Sequence, residues 1–167
     1  MGKTSGIEPA GMFAPRINQW LMPVSLFAML VAATVMLRWP HTSLAVITVQ
    51  VGGLPLVVEV ADNATARSRG LQHRDKLAAD AGMLFVYPDA GVRRFWMKDT
   101  QIDLDIGFFD DASRLIEVHS MTALDQHVQH VSSKPAKYAL EVNRGWFAAN
   151  RVAAGAVLRL QPPADPE

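Results

Sequence analysis

The chain contains no cysteine. This excludes disulfides, thiolate metal sites and a cysteine nucleophile, and it is neutral about compartment, because exported bacterial proteins often lack cysteine too. Net charge is also missing: 16 basic residues face 16 acidic ones in 167. A general nucleic-acid binder needs a basic excess to displace counterions from phosphates, so no nucleic-acid partner is expected. Nor does the chain carry a Gly-x-Ser-x-Gly elbow, a phosphate-binding glycine loop or a dinucleotide fingerprint. Serine hydrolase, nucleotide and nicotinamide readings therefore have no support, and no cofactor is expected.

What is present begins with an uncharged apolar run at 20–37. As a helix it would be roughly 27 Å long, close to the hydrocarbon core of about 30 Å. Lys3 and Arg16 precede it with Glu8 as the one acid, so the N-terminus is expected to stay cytoplasmic. Arg38, Trp39 and Pro40 follow as an interfacial aromatic and a helix breaker. The run serves either as a retained membrane anchor or as a signal peptide cut after Ser43-Leu44-Ala45. It exceeds the usual h-region of about 7–15 residues, which favours the anchor. Either way residues 46–161 form a domain outside the cytoplasm, at the inner membrane or released to the periplasm, with 162–167 a disordered tail.

The globular part reads as short strands with turn signals between them. Runs 46–51 and 54–60 flank Gly52-Gly53, a two-residue hairpin signal. A short helix capped by Asp62 or Thr65 runs to about Arg69, with Gly70 as C-cap. Strands are expected at 82–87, 94–100, 104–109, 114–121, 138–142 and 156–160, with a helical turn at 146–152 and a polar loop at 122–136. About eight strands and little helix favour a closed or two-sheet β architecture.

Gly70-Leu71, Gly82-Met83-Leu84-Phe85, Phe95-Trp96-Met97-Lys98, Thr100, Leu104-Asp105 and Leu140-Glu141 occur in an order and spacing that resemble domain-of-unknown-function family 192, from about Val57 to Leu160. The resemblance implies a mainly β, compact β-sandwich of jelly-roll type and no established activity. Three positions depart from the family pattern: Gln72 where Met is usual, Asp99 where Asn is usual, and Asp103 where Pro is common.

Candidate chemistry gathers near Trp96, Lys98 and Asp105. Asp103 and Asp105 share one side of a predicted strand, and two close carboxylates either bind a hard cation or divide acid and base roles. The structural reading is favoured, with Asp105 a buried acceptor paired to Lys98, Arg67 or Arg74. Arg67, Arg69, Arg74, Arg94 and Lys98 are cations that serve either as partners for Asp105 and Glu141 or as a guanidinium fork for a carboxylate, phosphate or sugar-acid ligand. Trp96 alternates with Phe95 and Met97 and is expected in the core, with an exposed sugar-stacking platform as the alternative. His119, His127 and His130 are read as surface residues, without a metal.

The resulting expectation is a ligand-binding or accessory β domain, with Arg67, Arg74, Trp96, Lys98, Asp105 and Glu141 as binding residues and a small molecule or glycan as ligand. Its rivals are a hydrolase or isomerase using Asp-based acid–base chemistry, and a docking partner of a membrane complex through loop 122–136. A ligand module predicts a groove beside Trp96, and an enzyme predicts two carboxyls facing one cleft.

Overall fold

The structure, a computed structural model, describes residues 44–160 and the isolated Gly2. The apolar run 20–37 and the tail 162–167 lie outside the described residues. Among the described residues no helix is long and apolar enough to cross a membrane.

Among the described residues nine strands and two short helices follow one another as β1 (Val46–Val51), β2 (Leu54–Ala61), α1 (Ala64–Arg69), β3 (Ala81–Gly91), β4 (Arg94–Phe95), β5 (Leu104–Phe109), β6 (Leu115–Met121), β7 (His130–Val131), β8 (Ala136–Asn143), α2 (Trp146–Ala149) and β9 (Leu158–Leu160). Seven strands form one sheet in the order β6-β5-β8-β3-β2-β1-β9, and β4 pairs with β7 as a separate ribbon. The mainly β class with two short helices holds. In place of two facing sheets, however, one sheet curls into a half-barrel. Its outer strands approach where Arg114 bridges Val157, the Leu115 N–H donates to the Ala156 carbonyl at 2.8 Å and the Leu158 N–H donates to Ser113 at 2.9 Å.

Local chemistry accounts for the elements. The β1–β2 hairpin turns at Gly52 and Gly53, whose φ values of 61° and 88° suit residues without a Cβ. All pairs in the sheet are antiparallel except β2 with β3, which run parallel. Parallel neighbours need a crossover rather than a tight turn. Here the crossover is residues 62–80 and includes α1. Asn63, rather than Asp62 or Thr65, caps α1 by accepting the Ala66 N–H at 2.9 Å, and Gly70 closes it.

The sheet is buried on both faces, which divides the core in two. One face carries Met83, Phe85, Leu104, Ile106, Phe108 and Ala139, covered by α1, Leu71, Phe95 and Met97. The other carries Val49, Leu56, Val58, Leu84, Phe109, Leu140 and Val142 around Phe147 of α2. Burying apolar area on both sides of one sheet gives a small domain two hydrophobic layers, each contributing at about 25 cal/mol per Å². Close approach at the centre depends on Gly82. A Cβ there would lie 2.7 Å from the Glu141 carbonyl oxygen, an atom of the paired strand that has little room to yield.

The strand expected at 94–100 stops at Phe95. Phe95 and Met97 point inward and Trp96 and Lys98 outward, so the strand-like alternation continues through a segment whose backbone pairs with no strand. Asp99 then takes φ 52°, a left-handed conformation that Asn and Asp tolerate better than most residues. The polar loop at 122–136 is interrupted by β7.

Candidate functional site

Between α1, the end of β3 and the β4 segment lies a cavity of about 180 Å³. Its walls come from three places. The C-terminal half of α1 and the residues just after it give Arg67, Ser68, Arg69 and Gln72. β3 gives Phe85 and Tyr87, and the 94–100 segment gives Arg94, Trp96 and Thr100. Glu141, from the inner strand β8, is the one carboxyl that lines it. Two ties hold the walls together: the His73 N–H donates to the Asp99 carbonyl at 2.8 Å, and Arg67 Nη1 donates to the Val86 carbonyl at 2.9 Å and the Asp62 carbonyl at 2.6 Å. The Arg67 guanidinium also lies 5.0 Å from the centre of the Tyr87 ring, with Arg93 on the same ring at 3.8 Å.

Glu141 sets the electrostatics. It is 5% exposed, and among the described residues its carboxyl makes no hydrogen bond or salt bridge. No fully buried side-chain oxygen or nitrogen lacks a partner among those residues, so the carboxyl oxygens open into the cavity. Burial pushes its pKa from 4.5 up to about 8, so at neutral pH it is mostly a neutral O–H donor. Burial also raises the Tyr87 phenol, against the opposing pull of Arg93 and Arg67. Arg67, Arg69 and Arg94 form no salt bridge among the described residues. Three guanidinium groups thus line a small cavity whose floor is an uncharged acid.

Of the six residues singled out from the sequence, Arg67, Trp96 and Glu141 line this cavity. Lys98 stands outside it, with Nζ 5.7 Å from the centre of the Trp96 ring, and lines an adjoining open hollow. Trp96 is 50% exposed, so it is not part of the core, contrary to expectation. Arg74 is engaged elsewhere: it forms a two-pronged ion pair with Glu59 at 2.5 and 2.7 Å, which lowers the Glu59 pKa. Asp105 does not belong to the site. It lies on the opposite face of the sheet from Glu141, because it pairs with Val142 while Glu141 pairs with Ile106. Its partners are no cations but the Ser120 hydroxyl at 2.7 Å and the Gly145 N–H at 2.8 Å.

Asp103 sits before β5 rather than on it. It accepts from the Ala123 N–H at 2.8 Å and pairs with Arg144 at 3.0 Å, away from Lys98. His119 and His130 lie with ring centres 5.9 Å apart, and His119 is 3.5 Å from Glu117. Among the described residues no group of three or more His, Asp or Glu could hold a metal ion. Tyr87 and Thr100 were not foreseen as cavity residues. Tyr87 precedes Pro88 in an apolar run, and nothing in that run marks the ring as a cation platform.

The comparisons with known proteins agree with this fold. The model of family DUF192, described as an uncharacterized ACR, matches residues 47–160. A crystal structure from Sinorhizobium meliloti 1021, named as a candidate transcription regulator, is 29% identical with a TM-score of 0.68 and covers 72% of this chain and 97% of its own. A protein of unknown function from Novosphingobium aromaticivorans DSM 12444 is 26% identical with a TM-score of 0.66, covering 72% of this chain and 89% of its own. No curated protein matches.

Proposed function

The chain belongs to family DUF192, and on that premise we propose that its β domain is a ligand-binding module held outside the cytoplasm, whose cavity takes a small carboxylate-bearing molecule. The observation that carries this reading is the cavity lined by Arg67, Arg69 and Arg94 over the buried, mostly neutral Glu141. Guanidinium forks match the planar oxygens of a carboxylate. A protonated Glu141 adds a donor where an ionised one would repel the ligand. The rival acid–base enzyme needs a second carboxyl in the same cleft, and Asp105, the carboxylate singled out from the sequence, points to the other face of the sheet.

Titration calorimetry of the full chain in detergent against malonate, glucuronate and inorganic phosphate tests the reading. At least one carboxylate should bind, and Arg94→Ala, at an exposed position, should weaken it about tenfold through loss of a charge-assisted hydrogen bond. Affinity should also fall as pH rises through about 8, where Glu141 ionises. No binding by either carboxylate, or phosphate binding more tightly than both, would overturn the assignment.

The extracytoplasmic location rests on the 20–37 run and its basic flank. Retention of the segment, rather than cleavage after Ala45, is supported by Leu44 packing on the core and by the Ala45 carbonyl accepting the Val60 N–H at 2.8 Å. Alkaline phosphatase fused after Glu167 should be active in a Gram-negative host. An inactive fusion beside an active cytoplasmic reporter at the same position would refute the location.

A further inference from the structure

The carboxylate cavity is not closed. It shares Ser68, Arg69, Gln72 and Trp96 with a second, open hollow of about 590 Å³, so the two adjoin along those four residues. The inner part, at about 180 Å³, is smaller than the roughly 300–1,000 Å³ of sites for drug-sized ligands and has room for a single small ring or acid. The outer part is several times larger and opens to solvent, which suits a ligand that continues outward from the inner cavity rather than ending there.

The lining of the outer hollow narrows the chemistry. Thr65 and Ser68 present hydroxyls, Gln72 an amide, and Trp96 a half-exposed indole. Among the described residues Trp96 makes no aromatic pair, so its ring is a one-sided platform rather than one wall of a slot. A nucleobase or aromatic acid gains most between two planes. A pyranose, with an apolar C–H face and a rim of hydroxyls, matches a single indole surrounded by short polar side chains. The charged groups of the outer hollow, Arg69 and Lys98, are both cations. They favour a chain whose acidic groups recur beyond the first ring.

We infer that the site takes the end of a uronic-acid oligosaccharide, with the terminal carboxylate in the arginine-lined cavity and the following ring on Trp96. This rests on the carboxylate reading above and adds the identity of the ligand to it.

The test is calorimetry of the full chain in detergent with the trimers of galacturonate, mannuronate and glucuronate, their monomers, and maltotriose as a neutral control. At least one uronate trimer should bind about tenfold more tightly than its monomer, with maltotriose not detectably bound. Trp96→Ala, at an exposed position, should bring the trimer-to-monomer ratio close to one. Trimers no tighter than monomers, maltotriose binding as well as a trimer, or an intact ratio in the Trp96→Ala protein would each overturn the inference. Monomers that bind without any gain in the trimer sink this inference alone. Absence of binding by monomers and trimers alike overturns this inference, and it removes the carboxylate reading as well when malonate also fails to bind.

Discussion

Replacing Glu141 with glutamine should make the protein more stable at alkaline pH, by on the order of 4 kcal/mol at pH 9, and change little near pH 4.5. The sign follows from burial. The folded-state pKa of about 8 lies above the ordinary 4.5. Between those values the folded protein retains a proton that the unfolded chain has released, so stability falls as pH rises through this window and levels off above it. Glutamine copies the shape of the neutral acid and has no charge to bury. The remaining carboxylates, including the ion-paired Glu59, titrate alike in both proteins, so the difference between variant and wild type isolates the one group. Denaturant melts at several pH values measure it. A variant-to-wild-type difference that stays constant from pH 4.5 to 9 would show that the carboxyl is not buried as described.

Truncating Asp105 to alanine should act in the opposite direction, lowering stability by about 2–4 kcal/mol. Asp105 is 3% exposed and accepts from the Ser120 hydroxyl and the Gly145 N–H. Hydrogen bonds to a charged acceptor contribute about 1.5–3 kcal/mol each, part of which is offset by the desolvation of the carboxylate. The loss has a definite place. Gly145, at φ 84°, leads into α2, and Phe147 of that helix packs into the core formed by Leu84, Phe109 and Leu115. Losing the Gly145 anchor loosens the seating of that ring. Asp105→Asn keeps one acceptor oxygen and the side-chain shape, so it should recover part of the loss. It should also leave carboxylate affinity within about twofold, since residue 105 faces away from the cavity. A denaturant midpoint for Asp105→Ala equal to or above wild type would refute the structural role, and a selective loss of binding in Asp105→Asn would return Asp105 to the site.

Much of the fold was legible because local chemistry specified it: the paired glycines announced the first hairpin, Gly70 announced the end of α1, and β-branched runs announced the strands. What was not legible has a common physical origin. Alternation assigns a residue to a side only when one side is wet. In β5 all six positions are buried, so Asp105 between Leu104 and Ile106 carried no sign of which core it faced. The same holds in β8, where Ala139 through Val142 are all buried and Glu141 interrupts no visible pattern. Relating those strands to each other needs the register, and the register follows from long-range pairing. The parallel β2–β3 pair escaped for a similar reason, since a crossover has no turn signature of its own. The overlong strand at 94–100 came from a true alternation of inward Phe95 and Met97 with outward Trp96 and Lys98, carried by a chain that pairs with no neighbour beyond Phe95.

The β4–β7 ribbon gives the site a property that its lining does not reveal. Arg94 lies on strands only two residues long, and Trp96 immediately follows them. The ribbon stands apart from the seven-stranded sheet. Beyond its own pairing it is held by the buried ring of Phe95, set edge-on to Phe85 and Phe108, and by Arg93, whose N–H donates to the Ser132 hydroxyl at 2.9 Å and whose Nε donates to the Ala136 carbonyl at 2.9 Å. A two-residue ribbon held by one buried ring and a few hydrogen bonds opens locally at less free energy than the whole domain unfolds. On the ligand-binding reading proposed above, the affinity is the intrinsic affinity multiplied by the fraction of molecules in which the ribbon is closed. On that reading substitutions at Arg93 or Ser132, which do not line the cavity, shift binding strength without changing the cavity itself.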